Sequence, residues 1–314
     1  MNCAEKVLIH IADGTAGSGK GTVGEYLESQ GAQQLDTGRI FRTVTELWLR
    51  DSEGVDANFD RSDFEYIEVA ARKFTTDNDA LNSFVDLLSE RIDPNPDNIR
   101  IGEEELKEVD IAEVLYSDSV NRVISFFAQK QLVRSFCTQV ATRLVVEAAN
   151  NGLKEVYIDG RSGRKEISDV LQKNQRLREM ARLALTAFFQ VDLTEAAHRT
   201  LSRDKGIDYR SLPDDHELVV AQTDSLQLRN QRDSDKGAHA CPMDLGTDYL
   251  VAWRDNPDLI NIDRVLGRLN RWDSQSRYVL FDTTNRSKSD TASEYDRWRL
   301  SVIDRLCHPA RSTA

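Results

Sequence analysis

The feature that most constrains this chain is the run Asp13-Gly14-Thr15-Ala16-Gly17-Ser18-Gly19-Lys20-Gly21-Thr22, together with what stands on either side of it. Before it comes Val7-Leu8-Ile9-His10-Ile11-Ala12, an apolar stretch rich in β-branched residues that predicts a buried strand. After it, Val23, Tyr26 and Leu27 fall at i, i+3, i+4, the spacing of one helical face, and Gly31 supplies a stop. Strand, glycine-rich turn and helix form the setting in which backbone can wrap a phosphate group. Successive N–H groups can surround such an anion only where no Cβ intervenes, which is the expected reason for glycine at 14, 17, 19 and 21. The helix adds unpaired N–H groups and the positive end of its dipole. Lys20 then offers an ammonium to the β- and γ-phosphates. The strict pattern continues with Ser or Thr as a magnesium ligand. Here Gly21 takes that place and Thr22 follows, so position 21 has no hydroxyl.

Charge limits the partners. The chain carries 41 Lys and Arg against 53 Asp and Glu, a net of −12. An acidic surface is a poor general binder of nucleic acid or anionic membrane, so neither is an expected partner. If the loop handles phosphate, cations must be gathered locally, and the arginines are where to look. Cys3, Cys137, Cys241 and Cys307 are scattered, with no C-x-x-C spacing, and are expected to be reduced thiols of a cytoplasmic protein. No basic-then-apolar leader and no apolar run of about 18 residues is present, so neither a secretory signal nor a membrane span is expected.

Further along, Gln33 to Leu35 reads as a short strand ending at Asp36-Thr37-Gly38, and Ile40, Val44, Leu47 and Trp48 mark the helix after it. Residues 51–125 are polar and read as an insertion standing on the core. Within it Phe64, Ile67 and Ala71 predict one helix, Leu81, Phe84, Val85 and Leu88 another, and 98–102 a strand. Val120 to Ala149 reads as one or two helices. Val156-Tyr157-Ile158 predicts a strand ending in Asp159-Gly160-Arg161. A helix is expected from Arg176 to Ala184, a strand from Thr186 to Asp192, and a helix from Glu195 to Arg203. The last strand is Tyr278 to Asp282, before a helix marked by Tyr295, Trp298, Val302, Ile303 and Leu306. Five short strands, most followed by a helix, predict an α/β fold with a five-stranded parallel sheet and helices on both faces. Ligands of such sheets sit beyond the carboxyl ends of the strands, where Asp36, Asp159 and Asp282 stand. His10, inside the first strand, is expected to be packed rather than catalytic.

These residues resemble the cytidylate kinases, nucleoside monophosphate kinases of the bacterial type. The resemblance lies in the phosphate loop and in Leu35-Asp36-Thr37-Gly38-Arg39-Ile40-Phe41-Arg42. It continues in Ser125 with Val133-Arg134 nine residues on, and in Tyr157-Ile158-Asp159-Gly160-Arg161. Arg229-Asn230-Gln231-Arg232-Asp233-Ser234 and Asp282-Thr283-Thr284 complete it, in the family's order. The resemblance implies a single P-loop NTPase-type domain over 1–314 with a monophosphate-binding insertion at 51–125 and a lid at 204–242. It implies transfer of the γ-phosphoryl of ATP, with Mg2+, to CMP or dCMP. Gly14-Thr15-Ala16-Gly17-Ser18-Gly19-Lys20-Gly21-Thr22 would hold ATP. Thr37, Phe41, Arg42, Ser125, Arg134, Arg161, Ser162 and Asp233 would form the acceptor side, with Ser125 at the base edge and Asp233 on a ribose hydroxyl. Lys20, Arg161, Arg229 and Lys236 would act on the transferring group, and Asp159 would hold Mg2+ through water. Guanidinium forks suit phosphate oxygens because they bind them two at a time.

The chain departs from the family pattern at four places. Ser162 replaces the aspartate that reads the cytosine amino group, Phe41 replaces a tyrosine, and Lys236 replaces an arginine. The stretch 244–277 is an extra insertion, far longer than the family's connection. The departures fall mainly on the acceptor side. Two alternatives therefore stay open: a P-loop kinase of another monophosphate or small metabolite, and a non-catalytic ATP-binding regulator. A monomer or weak oligomer is expected.

Overall fold

The protein is described by a computed structural model over residues 6–51, 64–91, 114–161, 163, 167, 170–171, 173–205, 208, 211–235, 250–251 and 279–307. The chain divides into two compact units, 1–36 with 145–314, and 37–144.

The first unit is built on a parallel sheet. Its strands are β1 (Val7–Gly14), β2 (Gln33–Asp36), β3 (Glu155–Asp159), β4 (Ala181–Gln190), β5 (Leu250–Val251) and β6 (Val279–Asp282), in the order β2-β3-β1-β4-β6-β5. The five expected strands are all present and parallel. The sixth, β5, is a two-residue edge pairing with β6, too short to leave a pattern in the sequence. β1 is buried along its whole length on both faces, which is why it reads as an unbroken apolar run. It runs on through Asp13 and Gly14, two residues past the expected end, because both still pair with Phe188 and Phe189 of β4.

Helix α1 (Lys20–Ser29) follows the glycine-rich turn, and α10 (Lys288–Cys307) ends the described chain. Both pack on one face of the sheet. Val23 and Leu27 of α1 meet Tyr295, Trp298 and Val302 of α10 over Leu8, Ala12, Phe189 and Phe281. Phe189 and Phe281 stack at 5.0 Å, and Tyr295 lies 5.8 Å from Phe189 and edge-on to Tyr157 at 5.7 Å. The Tyr157 hydroxyl donates to the Lys20 carbonyl at 3.0 Å, tying the first turn of α1 to β3.

One expectation fails between 175 and 185. Helix α7 (Gln175–Met180) ends at Met180 and β4 begins at Ala181, whereas the sequence predicts helix as far as Ala184. Ala181-Arg182-Leu183-Ala184-Leu185 consists of good helix formers, but this segment fills the slot beside β1, and ladder pairing and burial override propensity.

In the second unit, α2 (Thr37–Asp51), α3 (Phe64–Thr76), α4 (Asn78–Arg91) and α5 (Asp118–Ala128) surround Trp48, Phe74, Phe84 and Phe127. Ile67, Ala71, Leu81, Phe84, Val85 and Leu88 are buried, as their helical spacing predicts. Helix α6 (Gln131–Asn150) begins in this unit and ends in the first. The expected strand at 98–102 and nearly all of 244–277 lie outside the described residues.

The N-terminal side of the sheet carries a partly buried ion network. Arg299 of α10 donates from Nη1 to both Glu155 oxygens at 2.7 Å and from Nε to Asp296 at 2.8 Å. His10, fully buried as expected, lies with Nε2 2.9 Å from Glu155 Oε2, without hydrogen-bond alignment. Burial alone would raise the Glu155 carboxyl, but contact with His10 and then Arg299 holds it down at about 2. A carboxyl depressed on folding stabilises the native state above its unfolded value and loses that contribution as pH falls through the folded one. Stability is therefore expected to fall by about 1–3 kcal/mol between pH ~4.5 and ~2 through this group, allowing for the solvent that reaches it. Urea denaturation across that range checks it. Glu155→Gln should remove this limb, and an unchanged acid limb in the variant would contradict the assignment.

Candidate functional site

Three strand ends bring carboxylates together. In the parallel register Asp36 of β2 stands opposite Asp159 of β3, and Asp159 opposite Ala12 of β1, one residue before Asp13. Asp13 is buried and accepts from the Gly163 N–H at 2.8 Å, which anchors the chain just after Asp159-Gly160-Arg161. Asp282, also expected near a site, is used otherwise: it accepts from Gln190 Nε2 at 3.1 Å and from the Thr284 N–H at 3.1 Å, shaping the turn after β6.

The glycine-rich turn leaves β1 under tight steric control. Gly14 has φ 148°, and a Cβ there would lie 2.1 Å from the Phe189 carbonyl oxygen. The Thr15 N–H donates to that same oxygen at 3.0 Å. Gly17 has φ 71° and packs on Ala196, whose atoms a Cβ would meet at 3.0–3.2 Å. Gly19, at φ 87°, precedes the first residue of α1. Gly21 differs from these: it has no positive φ, and among the described residues, its chain neighbours and own helix turn aside, a Cβ there would meet nothing within 4 Å.

Lys20 folds back over the turn. Its Nζ donates to the Thr15 carbonyl at 2.8 Å, the Gly14 carbonyl at 3.2 Å and Ser18 Oγ at 3.4 Å. Ser18 Oγ donates to the Thr15 carbonyl at 2.7 Å. Burial pulls the Lys20 ammonium below its ordinary value, with Arg161 adding to the fall and Asp159, Asp13 and Asp36 opposing it. Burial pushes the Asp159 carboxyl up to about 7; Asp36 and Asp13 add to the rise, while Lys20 and Arg161 oppose it. The loop lysine, Asp159 and Arg161, each partly buried, thus form one electrostatic cluster.

The first unit also carries α8 (Leu193–Lys205) and α9 (Glu217–Asp235), which pack through Ala196, Ala197, Leu201, Val219 and Leu226, with Ala16 of the loop against them. Arg229 lies on α9, partly buried, and Asp233 falls within the same helix. Ser162 and Lys236 lie outside the described residues. In the second unit Thr37, Phe41 and Arg42 sit on the first turns of α2, Ser125 on α5 and Arg134 on α6. Arg42 is 6% exposed; Nη1 donates to Asn121 Oδ1 at 2.6 Å and the Leu115 carbonyl at 3.2 Å, and its guanidinium lies 4.3 Å from the Tyr116 ring centre. Arg134 Nη1 donates to the Ala128 carbonyl at 2.9 Å.

Sequence reasoning missed Arg199 of α8. It donates to the carbonyls of Gly17, Thr283 and Arg286, and its only sequence signal is the i, i+4 pairing with Glu195. No group of three or more His, Cys, Asp or Glu side chains able to hold a metal occurs among the described residues. Asp159 beside Asp36 and Asp13 fits only an ion held largely by water and phosphate oxygens, the habit of Mg2+.

A parallel sheet, a glycine-lined turn and a lysine at the start of the next helix define a P-loop kinase-type phosphotransferase. Residues 9–168, just over half of the chain, match the family described as cytidylate kinase. The chain belongs to that family. Among solved structures it is similar to the crystal structure of TT1252 from Thermus thermophilus, with 18% identity over 73% of this chain and 85% of that one and a TM-score of 0.26, too slight a likeness to inform the site. No curated protein matches. No helix among the described residues is long and apolar enough to cross a membrane.

The loop geometry separates its glycines experimentally. Gly14→Ala is expected to cost about 2–4 kcal/mol or prevent folding, because backbone rather than a movable side chain blocks the Cβ. Gly21→Ala is expected to add about 0.5–1 kcal/mol, as for a helical glycine with open space. Denaturant titration of both variants checks this, and the reverse ranking would contradict the loop described.

Proposed function

We propose that the protein transfers the γ-phosphoryl group of ATP to the 5′-phosphate of a nucleoside monophosphate, with CMP or dCMP preferred. The observation that carries the reading is the turn from Gly14 to Lys20, with positive φ at Gly14, Gly17 and Gly19 and an ammonium resting on its carbonyls beside Asp159 and Arg161. Packing against Phe189 and Ala196 accounts for glycine at 14 and 17, and the same turn leaves backbone N–H groups that a triphosphate can use.

Phosphoryl transfer asks little covalent help of a protein; it asks for alignment and charge neutralisation. On this reading the loop amides bind the β- and γ-phosphates, and Lys20 swings from the Thr15 and Gly14 carbonyls onto phosphate oxygen. Arg161 faces the acceptor phosphate. The family resemblance adds Arg42 and Arg134 to that role, Arg229 and Lys236 to the transferring group, Asp233 to ribose, and Thr37, Phe41, Ser125 and Ser162 to the acceptor. Mg2+ would supply further neutralisation of the triphosphate, with Asp159 holding its waters and no hydroxyl from Gly21.

A second reading keeps the reaction and changes the acceptor. It draws support from Arg42, which already gives Nη1 to Asn121 and Leu115 and its face to Tyr116, and so has fewer donors to offer a phosphate.

A coupled assay of ATP consumption against all common nucleoside monophosphates tests both readings. CMP or dCMP is expected to be turned over fastest. Much faster turnover of UMP, dTMP or a non-nucleotide would overturn that preference, and ATP binding that no acceptor accelerates into turnover would overturn the enzyme. Lys20→Ala is expected to lower turnover on the order of 10²–10³-fold or more in a chain that still folds, with at most a modest fall in melting temperature from the hydrogen bonds lost. Arg161→Ala is expected to raise KM for the monophosphate more than KM for ATP; equal or reversed effects would contradict its placement.

A further inference from the structure

In a loop whose N–H groups converge on an anion, the peptide carbonyls turn outward and need donors of their own. Here the carbonyls of Gly14 and Thr15 take the Lys20 ammonium, and those of Gly17 and Ser18 are served from behind. Arg199 Nη1 donates to the Gly17 carbonyl at 3.2 Å and to Thr283 Oγ1 at 3.1 Å. The Thr283 hydroxyl proton is shared between the carbonyls of Ser18, at 3.1 Å, and Gln190, at 3.2 Å. Arg199 Nη2 donates to the Thr283 carbonyl at 2.7 Å, the Arg286 carbonyl at 3.2 Å and Glu195 Oε1. Glu195 Oε2 accepts from the Asn285 N–H at 2.6 Å, and the Arg199 side chain is 16% exposed. One planar fork thus bridges the loop, helix α8 and the turn after β6, a geometry a flexible ammonium cannot copy.

We propose that Arg199, with Thr283, is a positioning residue of the donor site: it orients the Gly17 and Ser18 peptides so that the loop amides are set for a triphosphate before it arrives. Arg199 touches loop backbone and acts on phosphate only through it. The proposal rests on the donor-site reading above.

The test is equilibrium binding of MgATP and, separately, of inorganic tripolyphosphate to the full chain, to Arg199→Ala, Arg199→Lys and Thr283→Val, and to Arg199→Ala/Thr283→Val. Measurements are made well below the lowest melting midpoint. Arg199→Ala is expected to weaken both ligands by the same factor, about 10- to 100-fold. Arg199→Lys stays weakened, because a point charge does not span three carbonyls. Thr283→Val loses part of the affinity, and the double variant is no weaker than Arg199→Ala alone, since both act on one network. KM for the acceptor is unchanged. Wild-type affinity in Arg199→Ala with only a lowered melting temperature would overturn the proposal, as would full recovery in Arg199→Lys. So would a loss seen with ATP and absent with tripolyphosphate, which would place Arg199 at the nucleoside. If Arg199→Ala does not fold, Thr283→Val carries the same comparison, and wild-type affinity there overturns the proposal. Failure of the unsubstituted protein to bind either ligand would instead refute the donor-site reading itself.

Discussion

Everything in the first unit depends on the closeness with which the backbone at the end of β1 passes β4. The chain keeps pairing through Gly14, where a Cβ would lie 2.1 Å from the Phe189 carbonyl, and must then reverse within a few residues to start α1. Only a run of residues free to take positive φ can make that reversal. The aromatic layer of Phe189, Phe281, Tyr295 and Tyr157 holds the sheet and two helices rigid beneath the turn, and the Tyr157 hydroxyl fixes the first peptide of α1. The loop is therefore shaped by its foundations rather than by its ligand, which is the pre-organisation an electrostatic catalyst requires.

The charges around it follow from the same geometry. Parallel strands end together, so Asp36, Asp159 and Asp13 are gathered by register and not by proximity in sequence. Poor solvation pushes Asp159 up and Lys20 down, and each partly restrains the other. An acidic protein thus gathers two cations, Lys20 and Arg161, beside the loop, set against the carboxyl groups of Asp159, Asp13 and Asp36. The Glu155–Arg299 network serves a different end: it lies at the opening residue of β3 and secures α10, not the site.

Much of this was legible in the sequence, and the parts that were not share one cause. β1, the turn, α1 and the Asp159-Gly160-Arg161 strand end announce themselves through local pattern. The start of β4 does not, because Ala181 to Leu185 favour helix until a neighbouring strand claims them. The need for glycine at 14 and 17 was readable as chemistry, yet its steric cause, Phe189 and Ala196, is distant in the chain; Gly21 carries no such cause. Arg199 was invisible because its partners are backbone carbonyls up to 182 positions away. Arg42 stood out within its motif, but its engagement with Leu115, Tyr116 and Asn121 is a tertiary fact.

The most direct test of the central claim is to follow backbone amide resonances while MgATP is titrated into the protein. The account predicts that the largest shifts, saturating together, fall on the N–H groups from Gly14 to Thr22, with the Lys20 ammonium leaving its carbonyl partners. Saturable shifts confined to other parts of the chain, with the Gly14 to Thr22 amides unmoved, would contradict it.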